Sequence, residues 1–287
     1  MSKVGIVILN YLNYKDTVDC VKSLLKDKYL EKEIIIVDNH SENESKDFLQ
    51  NYLKTIFPNI YFLENEKNDG FARGNNLGIN FARKELHCEF ILIVNNDTVF
   101  IDENLINELI AAYEEGVAII GPRIISKNGY EQNPIGRMNF NNEKMNLQIE
   151  FKAKKILKRL GVNILLDRGR KNYIKLKNCL INKEVGLNLV LHGSCMLITP
   201  DYFKYYPCLF PKTFLYYEEN ILTILTHKVG LRKKFITKSS IFHKEDQSSS
   251  LSFANDENVI CNYINESKSI AEKLKVLNYS EIIKYFD

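Results

Sequence analysis

FILIVNNDT, residues 90–98, runs five apolar residues straight into Asn95-Asn96-Asp97-Thr98. An unbroken apolar run this short is the pattern of a strand buried on both faces. Its polar end sets one carboxylate, Asp97, beside two amides at the strand's carboxyl end, where open α/β sheets bind ligands. A carboxylate there can hold a hard divalent cation that also grips phosphate oxygens. The same residue types turn chains and cap helices, here a helix expected from about Glu103, so the quartet alone leaves both readings open.

The chain ahead of it alternates strand and helix. Residues 4–9 are an apolar strand, followed by Asn10-Tyr11-Leu12-Asn13 and a helix with Val18, Val21, Leu24 and Leu25 on one face. Residues 33–37 make a second strand ending in Asp38-Asn39, and Ser41 with Glu44 has capping-box spacing for a helix through Leu53. Residues 59–63 make a third, after which a loop over 68–76 turns into a helix ending near Lys84. Repeats of this length predict right-handed crossovers and a mostly parallel central sheet flanked by helices, with Asp38, the Gly70 to Asn76 loop and Asp97 converging on one edge. Asp38 suits either a helix cap or an acceptor for the planar donors of a uracil or thymine ring or a ribose hydroxyl. Gly70 and Gly74 let backbone amides approach an anion, a weak signal by itself. No G-x-G-x-x-G follows the first strand and no G-x-x-x-x-G-K-[ST] occurs, which disfavours a nicotinamide-dependent enzyme and a P-loop nucleotidase.

Composition bounds the rest. A chain of 287 residues with 45% apolar content is long enough for one large α/β domain, or one domain with an appendage. Its 39 basic and 36 acidic residues nearly cancel to +3, so no global field argues for nucleic acid. No apolar run has the length of a signal peptide or membrane span, and six cysteines without a close C-x-x-C pair fit reduced thiols, so a cytoplasmic location is expected.

In the second half, residues 187–199 read as one strand with His192-Gly193-Ser194-Cys195 in its middle, the small residues leaving room against the backbone. Residues 214–222 lead into a helix through His227 with Gly230 as its C-cap. Glu218 and Glu219 are adjacent, so only one can face a pocket; they read either as first-turn acids favoured by the helix dipole or as the source of a general base. His243 follows the apolar segment 239–242 and precedes a serine run; a lone histidine is a structural hydrogen-bonder or a ligand. His192 reads as a satisfied strand residue, and His40 and His227 carry no specific argument. Lys152 to Lys183 hold eleven Lys or Arg and a single acid, Asp167. That is either a solvated helical face or an amphipathic surface for anionic lipid headgroups. The tail 255–287 carries Ile260, Ile264, Ile270, Leu274 and Leu277 at roughly helical spacing, which suits core cover or a homodimer contact.

NYLN (10–13), VDNHS (37–41), NDGFARGNN (68–76) and NNDT (95–98), in this order, resemble family 2 glycosyltransferases of the rhamnosyltransferase-like group. The likeness is strong over 3–125 and moderate over 187–250. It implies an A-type glycosyltransferase fold: a catalytic domain over 1–254 with a nucleotide-sugar-binding half (1–125), a basic insertion (126–186) and an acceptor half (187–254), then the helical tail. By the same resemblance, a metal-dependent, inverting transfer would move a sugar from a UDP- or dTDP-sugar to a saccharide acceptor, lipid-diphosphate-linked and met at the inner face of the cell membrane, in bacterial surface polysaccharide synthesis. Asp38, with Asn10 and Asn39, would meet the nucleotide. Gly70, Arg73, Gly74, Asn75, Asn96 and Gly193 would line the donor pocket. Asp97 and His243 would hold Mn2+ or Mg2+, and Glu219, beside Glu218, would be the base. Asn95 replaces the family's usual first carboxylate and Glu219 the more usual aspartate. These departures keep a non-catalytic glycan-binding relative in play. A sugar nucleotidyltransferase is the other alternative, though residues 10–13 offer no basic phosphate-activating loop.

Overall fold

The computed structural model describes residues 2–56, 60–140, 185–245 and 257–286. The chain divides into two compact units, one of residues 1–138 with 185–287 and one of residues 139–184. The first is described below. The basic segment 152–183, with its expected lipid contact, lies outside the described residues. Residues 126–138, expected within the insertion, fold with the first unit, as does the tail.

The continuous apolar runs become central strands because both of their faces are covered. β1 (Val4–Asn10), β2 (Lys32–Asp38), β3 (Ile60–Glu64) and β4 (Phe90–Asn95) pair in parallel in the order β3-β2-β1-β4. α1 (Tyr14–Leu24), α2 (Ser45–Ile56) and α3 (Gly70–Lys84) are the crossovers. Then come β5 (Thr98–Phe100), α4 (Leu105–Ala111), β6 (Val117–Ser126) and the short β7 (Gly136–Arg137), β8 (Val185–Gly186) and β9 (Leu189–Val190). β10 (Cys195–Ile198) inserts antiparallel between β4 and β6, and β11 (Arg232–His243) lies parallel to β6. α5 (Pro200–Phe203), α6 (Glu218–Lys228), α7 (Glu257–Val276) and α8 (Tyr279–Ile282) complete the unit.

Among the described residues the main sheet has nine strands. β1, β2, β3, β4, β6 and β11 share one direction, and β5, β8 and β10 oppose it. The sheet is therefore mostly parallel, as expected. One edge collects the carboxyl ends at Asn10, Asp38, Asn95, Ser126 and His243, together with Gly193 and Ser194 ahead of β10.

Three boundaries differ from the sequence reading. Residues 70–76 are the first turns of α3, not a loop. Gly70 has φ +72°, and an added Cβ would lie 2.1 Å from the Phe214 carbonyl oxygen, which accepts from Phe71 N at 2.8 Å. Such a backbone contact tolerates only glycine. Residues 187–199 are not one strand: β9 and β10 are separated by 191–194, where His192 N donates to the Asn133 side chain instead of a ladder. Ser41 does not cap α2, which starts at Ser45; its hydroxyl turns back to Asp38.

α7 packs on the same chain, with Ala271 and Leu274 buried and Ser267 Oγ donating to Leu215 O. This is the core-cover alternative. Among the described residues no helix is long and apolar enough to cross a membrane. Cys20, Cys88, Cys195, Cys208 and Cys261 are free thiols.

Candidate active site

Asn10, Asp38 and Asn96 are brought together beneath the edge, Asn10 bonded directly to Asp38 and Asn96 joined to them through Thr17. Asp38 is fully buried; its carboxylate accepts from Asn10 Nδ2 at 2.7 Å, Ser41 Oγ at 2.8 Å and Ser41 N at 2.8 Å. Thr17 Oγ1 donates to Asn10 Oδ1 at 2.7 Å and accepts from Asn96 Nδ2 at 3.1 Å. The relay ties the end of β4 to the end of β2 through α1. Buried polar groups this well paired hold a single geometry. Asn39 is a second hub. Its amide donates to Asn68 Oδ1 and Gly70 O, and its oxygen accepts from Asn65 Nδ2 and Asp69 N. It thereby fixes the entry to α3.

On α3 the predicted residues divide. Gly74 faces the sheet, where an added Cβ would meet Leu9 Cδ1 at 2.7 Å, so its missing side chain serves helix-to-sheet packing and not an anion cradle. Asn75 is fully buried; Nδ2 donates to Phe71 O, while Oδ1 has no hydrogen-bond partner. Arg73, partly exposed, lies 3.4 Å from Asp69 Oδ1.

At the end of β4, Asp97 is 6% exposed, and its Oδ1 has no hydrogen-bond partner. The nearest cationic candidate is His243 Nε2 at 3.2 Å. An orphaned buried carboxylate oxygen costs about 1–3 kcal/mol, so something of opposite charge is the natural complement. His243, at the end of β11, is 7% exposed, and its other nitrogen, Nδ1, lies 2.8 Å from Gln132 Oε1. Lys244 N donates to Asp97 O at 2.8 Å, and Lys244 Nζ bridges Asp16 and Asp19 on α1, which straps the two strand ends together. His192 stands edge-on to His243 with ring centroids 5.5 Å apart. Burial, and then the neighbouring His243, push its pKa down to about 4. Ser194 N donates to its Nδ1, so the neutral ring carries its proton on Nε2. Among the described residues, no group of three or more His, Cys, Asp or Glu forms a metal cluster.

The acidic pair starts α6 after two consecutive left-handed residues, Tyr216 (φ 70°) and Tyr217 (φ 68°). Non-glycine residues there cost about 1 kcal/mol or more each, a strain typical of functional sites. The turn aims the two carboxylates apart, as adjacency requires. Glu219 Oε1 accepts from Gly193 N at 3.1 Å, and a Cβ on Gly193 would meet that oxygen at 2.9 Å. The room at Gly193 is therefore filled by the Glu219 carboxylate. Because Ser194 O pairs with Asn95 N at 2.9 Å, Glu219 reaches the same edge as Asp97. Burial raises its pKa, opposed by the Gly193 N–H.

Glu218 faces a small cavity walled by Ala72, Met196, Leu209 and Leu222, with Thr213 as its other polar group. Burial, and then Glu219, push its pKa up to about 8. Below the ordinary carboxyl range both folded and unfolded chains keep this proton. Between there and pH 8 only the unfolded chain releases it, so this group's contribution to stability falls as pH rises. Glu218→Gln cannot ionise. It should melt like the wild type near pH 4.5 and be more stable than it by about 2 kcal/mol at pH 8. Thermal melts at the two pH values check this, and a difference that does not grow with pH refutes it.

Sequence reasoning missed Gln132, Ser41, Lys244 and the role of His192. Only Ser41 carried a signal, and it pointed to the wrong partner.

Residues 5–169 match the model of glycosyl transferase family 2. The chain is 27% identical over 226 residues to the low-salt glycan biosynthesis hexosyltransferase Agl10 of Haloferax volcanii, covering 76% of this chain and 60% of that protein. It is 30% identical over 112 residues to the glycosyltransferase GlyG of Streptococcus pneumoniae serotype 4, covering 39% and 35%. The chain thus spans less than two thirds of these curated relatives. In structure it is similar to S. aureus TarS 1–349 in complex with UDP, at TM-score 0.52 and 14% identity over 84% of this chain and 60% of that one. A second structure of S. aureus TarS gives TM-score 0.54 at 13% identity, covering 84% of this chain and 36% of that one. At such identity the likeness speaks for the fold alone, the A-type glycosyltransferase fold.

Proposed function

The chain belongs to glycosyl transferase family 2, and from that membership and the site we propose that it moves a sugar, with inversion, from a UDP- or dTDP-sugar to a hydroxyl of a saccharide acceptor. The observation that carries this reading is the Glu219 carboxylate held on Gly193 N at the strand edge that also bears Asp97 and His243. Glu219 takes the acceptor hydroxyl proton as that oxygen forms a bond to the anomeric carbon from one face; the bond from that carbon to the nucleoside diphosphate breaks on the other. Attack opposite the leaving group inverts the centre.

The orphaned Asp97 Oδ1 beside His243 Nε2 fits a divalent cation, Mn2+ or Mg2+, which these two side chains would hold. Such a cation would offset the charge on the departing diphosphate. Asp38 and Asn39 shape the nucleotide side of the edge; the UDP complex of TarS supports a uridine donor here, and thymine presents the same hydrogen-bonding edge. Agl10, named a hexosyltransferase, supports a hexosyl donor, with dTDP-rhamnose the alternative from the motifs. The lipid-diphosphate-linked acceptor and the contact with the inner membrane face rest on the composition of segment 152–183.

A donor panel tests the reading: UDP- and dTDP-sugars with Mn2+ or Mg2+ and a lipid-diphosphate saccharide, followed for release of UDP or dTDP. Release of pyrophosphate instead would identify a nucleotidyltransferase. Saccharide binding without release from any donor would identify a non-catalytic relative.

A further inference from the structure

We propose that Gln132 is a positioning residue for the Asp97–His243 pair: held by Glu245, its amide oxygen fixes the His243 proton on Nδ1 and turns Nε2 toward Asp97 as a cation ligand. The inference rests on reading Asp97 and His243 as metal ligands, and it follows from the direction of two hydrogen bonds.

Gln132 Nε2 lies 2.6 Å from Glu245 Oε1. A carboxylate only accepts, so the amide nitrogen must face Glu245, and the amide oxygen must face His243. That oxygen, 2.8 Å from Nδ1, likewise only accepts, so Nδ1 carries the proton. Nε2 then presents either a lone pair or a second proton to Asp97 Oδ1 at 3.2 Å. Oδ1 accepts no hydrogen bond there, so the contact does not itself satisfy the carboxylate oxygen. With Nδ1 committed to Gln132, Nε2 is the ring nitrogen turned toward Asp97 and able to share a cation with it. A metal-ligating histidine that donates its other N–H to a fixed acceptor is the arrangement that orients such ligands.

Local structure places all three residues. After β6, Ser126 N donates to Tyr130 O and Gln132 N donates to Ile124 O, a hairpin that carries Gln132 back along its own strand. β11 is the next strand, with His243 opposite Ser126. Two residues on, Glu245 turns in the left-handed region at φ 65°, and its carboxylate meets the amide of Gln132.

The test uses the full chain. In metal-free wild type, long-range 1H–15N NMR should find the His243 proton on Nδ1, the resonance being assigned by its loss in His243→Ala. Gln132→Leu should lose that preference and weaken Mn2+ binding about 10- to 100-fold, read as the free Mn2+ signal by electron paramagnetic resonance with UDP present. The double variant Gln132→Glu with Glu245→Gln reverses the bond between these two side chains but keeps an oxygen at position 132 to accept from His243 Nδ1, and it should recover both properties, which a purely steric role for Gln132 would not predict. If Gln132→Leu binds Mn2+ like the wild type while His243→Ala does not, the positioning role is overturned and the metal reading stands. A wild type that binds no Mn2+ with UDP present sinks both.

Discussion

Glu219→Gln should lower the rate of sugar transfer about 1,000-fold, within the range that a positioned general base supplies. Nucleotide binding should stay within about twofold, because the substitution removes charge without removing volume. Gln retains an oxygen that can accept from Gly193 N, the bond that seats the carboxylate in the wild type. What it lacks is the capacity to take a proton. The pH profile supplies a second, independent reading. Burial raises the Glu219 pKa, so the group holds its proton to a higher pH than a free carboxylic acid. The base works only when ionised, and the wild-type rate should therefore rise with pH along an acid limb whose midpoint lies above about 4.3, the ordinary glutamate value. Glu219→Gln should lose that limb with the rate. Transfer within tenfold of wild type, or an unchanged limb, would assign the base elsewhere.

Much of this site was legible because it lies where continuous apolar runs stop. Residues 4–9, 33–37 and 90–94 could only be buried strands, and once they were parallel their polar ends at Asn10, Asp38 and Asp97 had to share an edge. The opposed directions of Glu218 and Glu219 followed from adjacency on a helix, although which carboxylate faced which wall did not. Contacts between segments distant in sequence were not legible. Gly70 and Gly74 read as an anion loop because the tight contacts they relieve, with Phe214 O and Leu9, lie 144 residues and 65 residues away in sequence. Ser41 and Glu44 matched a capping box, yet the buried charge of Asp38 outcompetes helix amides for the serine hydroxyl. Gln132 left no trace in the sequence, because an amide becomes directional only when both of its neighbours are fixed.

Asp97→Asn should separate chemistry from stability. Asp97 Oδ1 contributes no hydrogen bond to the fold, and the contact that does hold its loop, Lys244 N to Asp97 O, is backbone to backbone. The side-chain amide of the variant can hydrogen-bond His243 Nε2 across the 3.2 Å gap in either protonation state of the ring, its nitrogen donating or its oxygen accepting. The melting temperature should therefore hold or rise by a few degrees, the equivalent of about 1 kcal/mol. Transfer should fall about 1,000-fold in the same protein, since the one carboxylate aimed at the cation is gone and an amide binds Mg2+ or Mn2+ far more weakly. A loss of activity with no loss of stability is the mark of a residue kept for function at the expense of the fold. Scanning calorimetry and nucleoside diphosphate release on one preparation decide it. A melting point lower by ten degrees would make Asp97 structural, and transfer within threefold of wild type would remove it from the metal site.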